Sequence, residues 1–260
     1  MGGRRPVHNP RRTRMTKPSR EYLYGLNPAF EVFRAKRRRV LRALLLDDKG
    51  RNPRLAKLAA LAGKHGVTVE RVDRGRLHDL ARSREHQGVV LQAEPYAYTD
   101  SGKLFARPRL LLLDNVEDPH NVGAILRSAE IFGFDSVLLP TRGVPEIYPS
   151  VVKVSAGATE FLAIARDSTT NRYVVTAREH GFRVVALDGG GPDGLRETAA
   201  ALSDERVLLV IGGENHAVGQ FVLNSADHVV RIAQEGRVNS LNASVAAGIA
   251  LFAFSAKGAD

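Results

Sequence analysis

Short aliphatic runs alternate with stretches of helical spacing along most of this chain. Residues 22–48 read as an extended piece, a helix and a buried strand. Ala29, Val32 and Phe33 give the helix its period, and Leu44–Leu46 form the strand, which ends at Asp47-Asp48. A second helix over Leu55–His65 places Leu55, Leu58, Ala59 and Ala62 on one face and stops at Gly66. Val67–Val72 alternates as a strand does, Leu77–Ala81 makes a short helix, and Val89–Ala93 makes another strand. These elements make a small α/β domain over residues 21–95. Turn formers between Pro95 and Pro108 mark residues 96–107 as a linker.

The pattern then changes. Leu110–Leu113 is a continuous aliphatic run, as in a strand covered on both faces. A helix follows over Asn121–Phe132, then a strand at Ser136–Leu139. Val151–Ala156 and Asn171–His180 read as helices, and Arg183–Leu187 and Val207–Ile211 as buried strands. A strand at Val229–Ile232, a polar loop and a helix from about Asn242 to Phe254 close the chain. Strands alternating with helices predict an α/β fold over residues 108–260, with a mainly parallel sheet between helical layers. Ala243, Ala246, Ala247 and Ala250 give the last helix a small-residue face, read here as a packing surface for a second subunit.

Composition narrows the chemistry. The 260 residues include no cysteine, which removes disulfides, thiol catalysis and cysteine-ligated metals. The eight histidines never fall into a metal-ligand spacing, so no metal is expected. No apolar run is long enough to span a membrane. Of the net charge of +10, residues 1–20 carry seven positive charges and no acid. That segment reads as a solvated basic tail able to touch RNA phosphates. It lacks the apolar core of a secretory signal, so a cytoplasmic protein is expected, with organelle targeting a lesser alternative. Arg34 and Lys36–Arg39 form a second basic cluster, either an RNA contact or a solvated helix end.

Three loops follow three of the buried strands. The first, residues 114–134, has Asn121 at a helix start, Gly123 suited to close backbone approach, and Arg127 nearly two turns further on. The second holds Gly212-Gly213 and then Glu214; glycines after a strand let a ligand lie against the main chain. In the third, Ser240 and Asn242 flank Leu241, and both suit a helix cap. Gly189–Gly191 lacks the spacing of a dinucleotide or P-loop turn.

Taken together, D-N-V-x-D-P-x-N-V-G-A-I-L-R-S-A, I-G-G-E and S-L-N-x-S-V-A-A-G-I resemble, in order and spacing, the three signature motifs of the SpoU (TrmH-type) RNA ribose 2′-O-methyltransferases. Residues 22–33 (YLYGLNPAFEVF) and 86–91 (HQGVVL) are similar to the L30e-like RNA-binding domain found in the branch that modifies a guanosine of large-subunit rRNA. The resemblance implies a trefoil-knotted SPOUT domain, a homodimer and S-adenosylmethionine as cofactor. By motif it implies roles for Asn121, Arg127, Glu214, Ser240 and Asn242 in catalysis. It implies a cofactor site at Gly212, Ile232 and Leu241, together with Leu187, Ile211 and Gly213 beside them. Asn215-His216 and Ala233-Gln234 depart from the motifs, which bears on cofactor affinity.

The leading expectation is therefore methyl transfer to a ribose 2′-OH of 23S-type rRNA. The same chemistry on tRNA, resistance by rRNA methylation, and a non-catalytic RNA-binding or ribosome-assembly role are the alternatives.

Overall fold

Two sheets form where the two hydrophobic patterns place them. The computed structural model describes residues 19–213, 217–237 and 240–255. The first sheet holds β1 (Glu21–Tyr24), β2 (Val40–Leu46), β3 (Val69–Val72) and β4 (Val89–Ala93). Its order is β1-β4-β2-β3, antiparallel except for the β2–β3 pair. Helices α1 (Leu26–Ala35), α2 (Pro53–Lys64) and α3 (Arg74–Ala81) lie between its strands in sequence. Leu55, Leu58 and Ala62 are the buried face of α2, as their spacing requires.

A connection with one short helix, α4 (Ser101–Leu104), leads to the second sheet. Its strands are β5 (Arg109–Asp114), β6 (Ser136–Leu138), β7 (Ala163–Ala165), β8 (Arg183–Leu187), β9 (Asp193–Gly194), β10 (Val207–Gly212) and β11 (His228–Arg231). The order is β7-β6-β5-β10-β8-β11-β9 and every pairing is parallel. Leu110–Leu113 and Val207–Ile211 sit at its centre, 2% exposed or less, which is why they read as unbroken aliphatic runs. Helices α5 (Pro119–Ile131), α6 (Pro149–Val154), α7 (Thr170–Glu179), α8 (Leu195–Ala201), α9 (Gln220–Ser225) and α10 (Ala243–Ala253) complete this part. All these strands run the same way, so the loops at their C-terminal ends share one edge of the sheet.

Several expectations change. The linker over residues 96–107 packs in part against the fold: Tyr96, Leu104 and Phe105 are buried. The Tyr96 hydroxyl donates to the Leu162 carbonyl at 2.9 Å and so ties the stretch to the large sheet. Part of the basic cluster is taken up by the fold itself, while Arg34, Lys36 and Arg39 stay exposed. Arg38 is 6% exposed and grips Glu160 through two nitrogens at 3.1 and 3.0 Å, with Glu21 at 2.9 Å. Arg37 donates to the Leu162 carbonyl and to Thr99 Oγ1, and Arg34 pairs with Glu31. Only Lys36 and Arg39 of the cluster remain exposed without an ion pair among the described residues. Burial pushes the Glu160 carboxyl above its ordinary range, and Arg38 reverses this only in part.

The alanine face of α10 does not wait for a second subunit. Ala243, Ala247 and Ala250 are buried within this chain, and Ala243 and Ala246 line a cavity of the fold. The face left exposed carries Val245, Ile249 and Phe252, spaced one turn apart. Residues 1–18 of the basic tail lie outside the described residues.

Candidate functional site

A cavity of about 220 Å³ opens where the loops after β8, β10 and β11 converge. Leu187 ends β8, Ile211 and Gly212 end β10 with Gly213 after them, and Ile232 follows β11. All four strands' worth of register, from Leu111 paired with Leu209 to Val230 paired with Leu187, brings those ends level. Leu187, Ile211, Gly212, Gly213, Ile232 and Leu241 all line the cavity. These are the six positions that the motif resemblance marks for a cofactor. Ser240 lines it as well.

Sequence reasoning missed Asp188, Gly189 and Ala217 in the wall, and read Ala243 and Ala246, which also line it, as part of a subunit interface; Gln234, already marked as bearing on cofactor affinity, lines it too. Asp188 and Gly189 directly follow a buried strand, which was the available signal. The lining is mixed, with four branched aliphatic side chains, exposed main chain at the glycines, and the polar groups of Asp188, Gln234 and Ser240. Among the described residues no lysine or arginine faces it. Such a cavity accepts a flat apolar ring with polar edges and tolerates a positive charge.

The second centre lies at the start of α10. The Asn242 side-chain oxygen accepts from the Ser244 amide at 2.9 Å and from the Ser244 hydroxyl at 2.6 Å, capping the helix. Its amide nitrogen donates to Asn121 Oδ1 at 3.1 Å. Asn121 is 8% exposed, on the first turn of α5. Asn242 is therefore both cap and tether, joining the third loop to the first. Asp114, buried at the end of β5, accepts from Gly219 N at 2.9 Å and from Thr170 Oγ1 at 2.8 Å, which fixes the far end of the second loop.

Arg127 stands apart from both centres. It lies six residues after Asn121, about 9 Å along the helix axis, and is exposed. It makes no ion pair among the described residues and does not line the cavity. Its neighbour Ser128 sits where α10 crosses, near Gly248, and Ile131, one turn on, is 62% exposed. Glu214, Asn215 and His216 lie outside the described residues.

The glycines serve chain packing as well as the cavity. A Cβ on Gly123 would lie 2.7 Å from Val154 Cβ, so this glycine lets α6 cross α5 closely and does not face a ligand. A Cβ on Gly212 would lie 2.5 Å from the Val218 amide nitrogen. Among the described residues no cluster of histidine, aspartate and glutamate could hold a metal. No described helix is long and apolar enough to cross a membrane.

The profile of the SpoU rRNA Methylase family matches residues 108–252, more than half of the chain. The chain belongs to this family. A second profile, RNA 2'-O ribose methyltransferase substrate binding, matches residues 22–99, the first sheet and its helices. A Putative TrmH family tRNA/rRNA methyltransferase of Bacillus subtilis is 31% identical over 89% of this chain and 94% of its own length. An Uncharacterized tRNA/rRNA methyltransferase of Synechocystis is 37% identical over 74% of this chain; the chain spans about half the length of that relative, 51%. Among solved structures, the AdoMet-bound rRNA methyltransferase of Sinorhizobium meliloti matches 91% of this chain at TM-score 0.73 and 24% identity, over 87% of its own length. The SpoU methyltransferase AviRb of Streptomyces viridochromogenes matches 92% at TM-score 0.75 and 21% identity, over 90% of its length. These two likenesses establish the SpoU fold.

Proposed function

We propose that this protein transfers a methyl group from S-adenosylmethionine to a ribose 2′-OH of RNA, most specifically a guanosine of large-subunit rRNA. The observation that carries the reading is that the second and third motif loops meet at one cavity, with all six expected cofactor positions in its wall, while the Asn242–Asn121 hydrogen bond ties the first motif to them. The residues fit the group. Leu187, Ile211, Ile232 and Leu241 offer aliphatic walls to adenine, the glycines offer main-chain amides, and the lack of a lysine or arginine suits a sulfonium. When bound, the cofactor supplies an electrophilic methyl group for in-line displacement. The chain's own part is to hold the ribose in line and to stabilise the hydroxyl as it loses its proton.

Arg127 is assigned to that last task. A guanidinium is a donor and not a base, so it acts as a clamp on a phosphate and on developing alkoxide charge. The reading includes a knotted C-terminal pass and a homodimer. In a homodimer Arg127 would serve the partner's cavity, since it sits on the exposed α5–α10 surface and away from its own. Glu214 keeps its place in the reading by motif alone.

Arg127→Ala should leave calorimetric binding of S-adenosylmethionine unchanged and reduce methyl transfer to RNA at least a hundredfold, in line with losing one charge-stabilising group. Methylation at the wild-type rate would remove the role. Because its relatives carry tRNA/rRNA names, tRNA is the second reading. Mapping 2′-O-methyl groups on rRNA and tRNA with and without the protein separates the two.

A further inference from the structure

A second cleft, about 690 Å³, lies between the two sheets, away from the cofactor cavity. One wall belongs to the small sheet and the irregular segment that follows β4, with Tyr22, Tyr24, Tyr96 and Tyr98; Tyr148 lies in the other wall, on the loop that follows β6. The chain has six tyrosines and no tryptophan. Five of the six therefore meet here, and the remaining one, Tyr173, is buried under the large sheet. Tyr24 and Tyr96 belong to the core beneath the cleft and Tyr22 and Tyr98 pack against it, which holds their rings fixed, whereas Tyr148 is 49% exposed.

Charge sets what the cleft can take. Its lining carries Glu21, Asp79 and Glu146 against Arg20 and Arg82. Glu21 already pairs with Arg38, so Asp79 and Glu146 balance Arg20 and Arg82, and a lining with no net positive charge is a poor trap for a phosphodiester. Flat aromatic rings beside hydrogen-bond acceptors suit a nucleobase, whose faces stack and whose edges donate.

Position links the cleft to the first cavity. The loop carrying Tyr148 leaves the C-terminal end of β6, and β6, β5 and β10 are adjacent parallel strands. Two strand spacings, about 10 Å, separate the end of β6 from the end of β10. The loops between are in contact: a Cβ on Gly143 would lie 2.8 Å from Asn115 Oδ1, and Asn115 also abuts Gly213 of the cofactor cavity. One wall falls within the substrate-binding match, 22–99, and the other within the methylase match, 108–252.

We infer that this tyrosine-lined cleft takes an unstacked base of single-stranded RNA, a neighbour of the nucleotide whose ribose enters the first cavity. The inference rests on the RNA methyltransferase reading. The cleft then sets which local RNA shape is accepted: a strand whose base can be turned out, with its phosphates kept on the rim near Arg20 and Arg82.

The absence of tryptophan gives a direct test, since intrinsic fluorescence at the tyrosine wavelength comes chiefly from this cleft. A mixed-sequence single-stranded RNA of roughly ten nucleotides, within the span of known stacking grooves, is titrated into the full chain. An oligomer of the same length built of abasic residues is the control. The intact RNA should quench tyrosine emission and the abasic strand should not. Tyr148→Ala should weaken binding of the intact RNA about tenfold, as loss of one base–ring stack does, while Tyr148→Phe stays within about twofold. Equal binding by wild type and Tyr148→Ala overturns the inference. So does RNA binding without quenching, equal quenching by the abasic strand, or no binding at all by wild type. Calorimetry with S-adenosylmethionine on the same proteins keeps the two ideas apart. Cofactor binding by wild type and both variants, together with any of those failures, removes the base site and leaves the methyltransferase reading standing. Lack of cofactor binding by wild type counts against that reading itself.

Discussion

At the scale of single residues, Asn242 holds two jobs that substitutions can separate. Its oxygen caps α10 and its nitrogen reaches Asn121 at 3.1 Å. Serine is also a good cap but its side chain is too short to bridge to α5. Asn242→Ala should cost about 1–2 kcal/mol of stability through the lost cap, whereas Asn242→Ser should stay within about 0.5 kcal/mol of wild type. Both should lose methyl transfer to the same extent if the tether shapes the site. Urea unfolding and a methylation assay on the two variants decide it; activity that follows stability would make the tether merely structural. The cap was legible in the sequence because Asn before a helical run is a local signal. The Asn121 contact was not, since its partner lies 121 residues away. Arg38 failed for the same reason: a run of basic residues looks solvated until Glu160, 122 residues on, is seen beside it. Gly123 was legible as a site of close approach, but not that the approaching group is Val154 of α6.

At the scale of elements, length and apolar pattern together decided what could be read. β8 and β4 appear with the bounds their aliphatic runs give, and α10 starts directly after its cap. β7 has three residues, β9 two and α9 six, and the sequence reading missed them; β6 and α6 are as short but were read, because Ser136–Leu139 and Val151–Ala156 are more evenly apolar. α10 shows a subtler failure. It is apolar all round, and such a helix must be covered on every side. The small alanines looked like the outer interface, but Ala243, Ala247 and Ala250 are buried within the chain, while α5 meets α10 at Asn242, Gly248 and Phe252. Val245, Ile249 and Phe252 remain open at 50%, 39% and 54% exposure, and Phe252 meets Phe132 edge-on at 5.7 Å. Ala247→Glu should therefore abolish folding, because it buries a charge at a position with no exposure. Phe252→Glu should fold with an unchanged circular dichroism spectrum. If the homodimer forms through this face, light scattering will report a monomer for Phe252→Glu and a dimer for wild type. A dimeric Phe252→Glu would move the interface elsewhere.

At the scale of the whole molecule, the two sheets are held together by a buried charge pair, a joint with a recognisable energetic signature. The Arg38 and Glu160 side chains are 1% and 0% exposed, and Arg38 also stacks over the Tyr96 ring at 5.1 Å. Taking both charges out of water costs several kcal/mol, which their attraction and two hydrogen bonds must offset. The pair therefore specifies how the substrate domain docks more than it adds net stability. Removing one partner leaves the other charge buried and alone, so Arg38→Met or Glu160→Leu should each destabilise by about 3–5 kcal/mol. Replacing both should restore most of the loss, since apolar side chains of similar volume fill the joint and Glu21, at 16% exposure, can turn toward solvent. Urea unfolding of the four proteins gives the coupling, and single losses below about 1 kcal/mol would mean that water enters the joint. Activity adds a second readout. The double variant keeps the core but loses the directional grip that fixes the domain angle, and the tyrosine cleft lies in that same angle. RNA affinity should then remain reduced in the double variant even where stability has returned, whereas binding of S-adenosylmethionine, whose cavity lies wholly within the large sheet's loops, should match wild type.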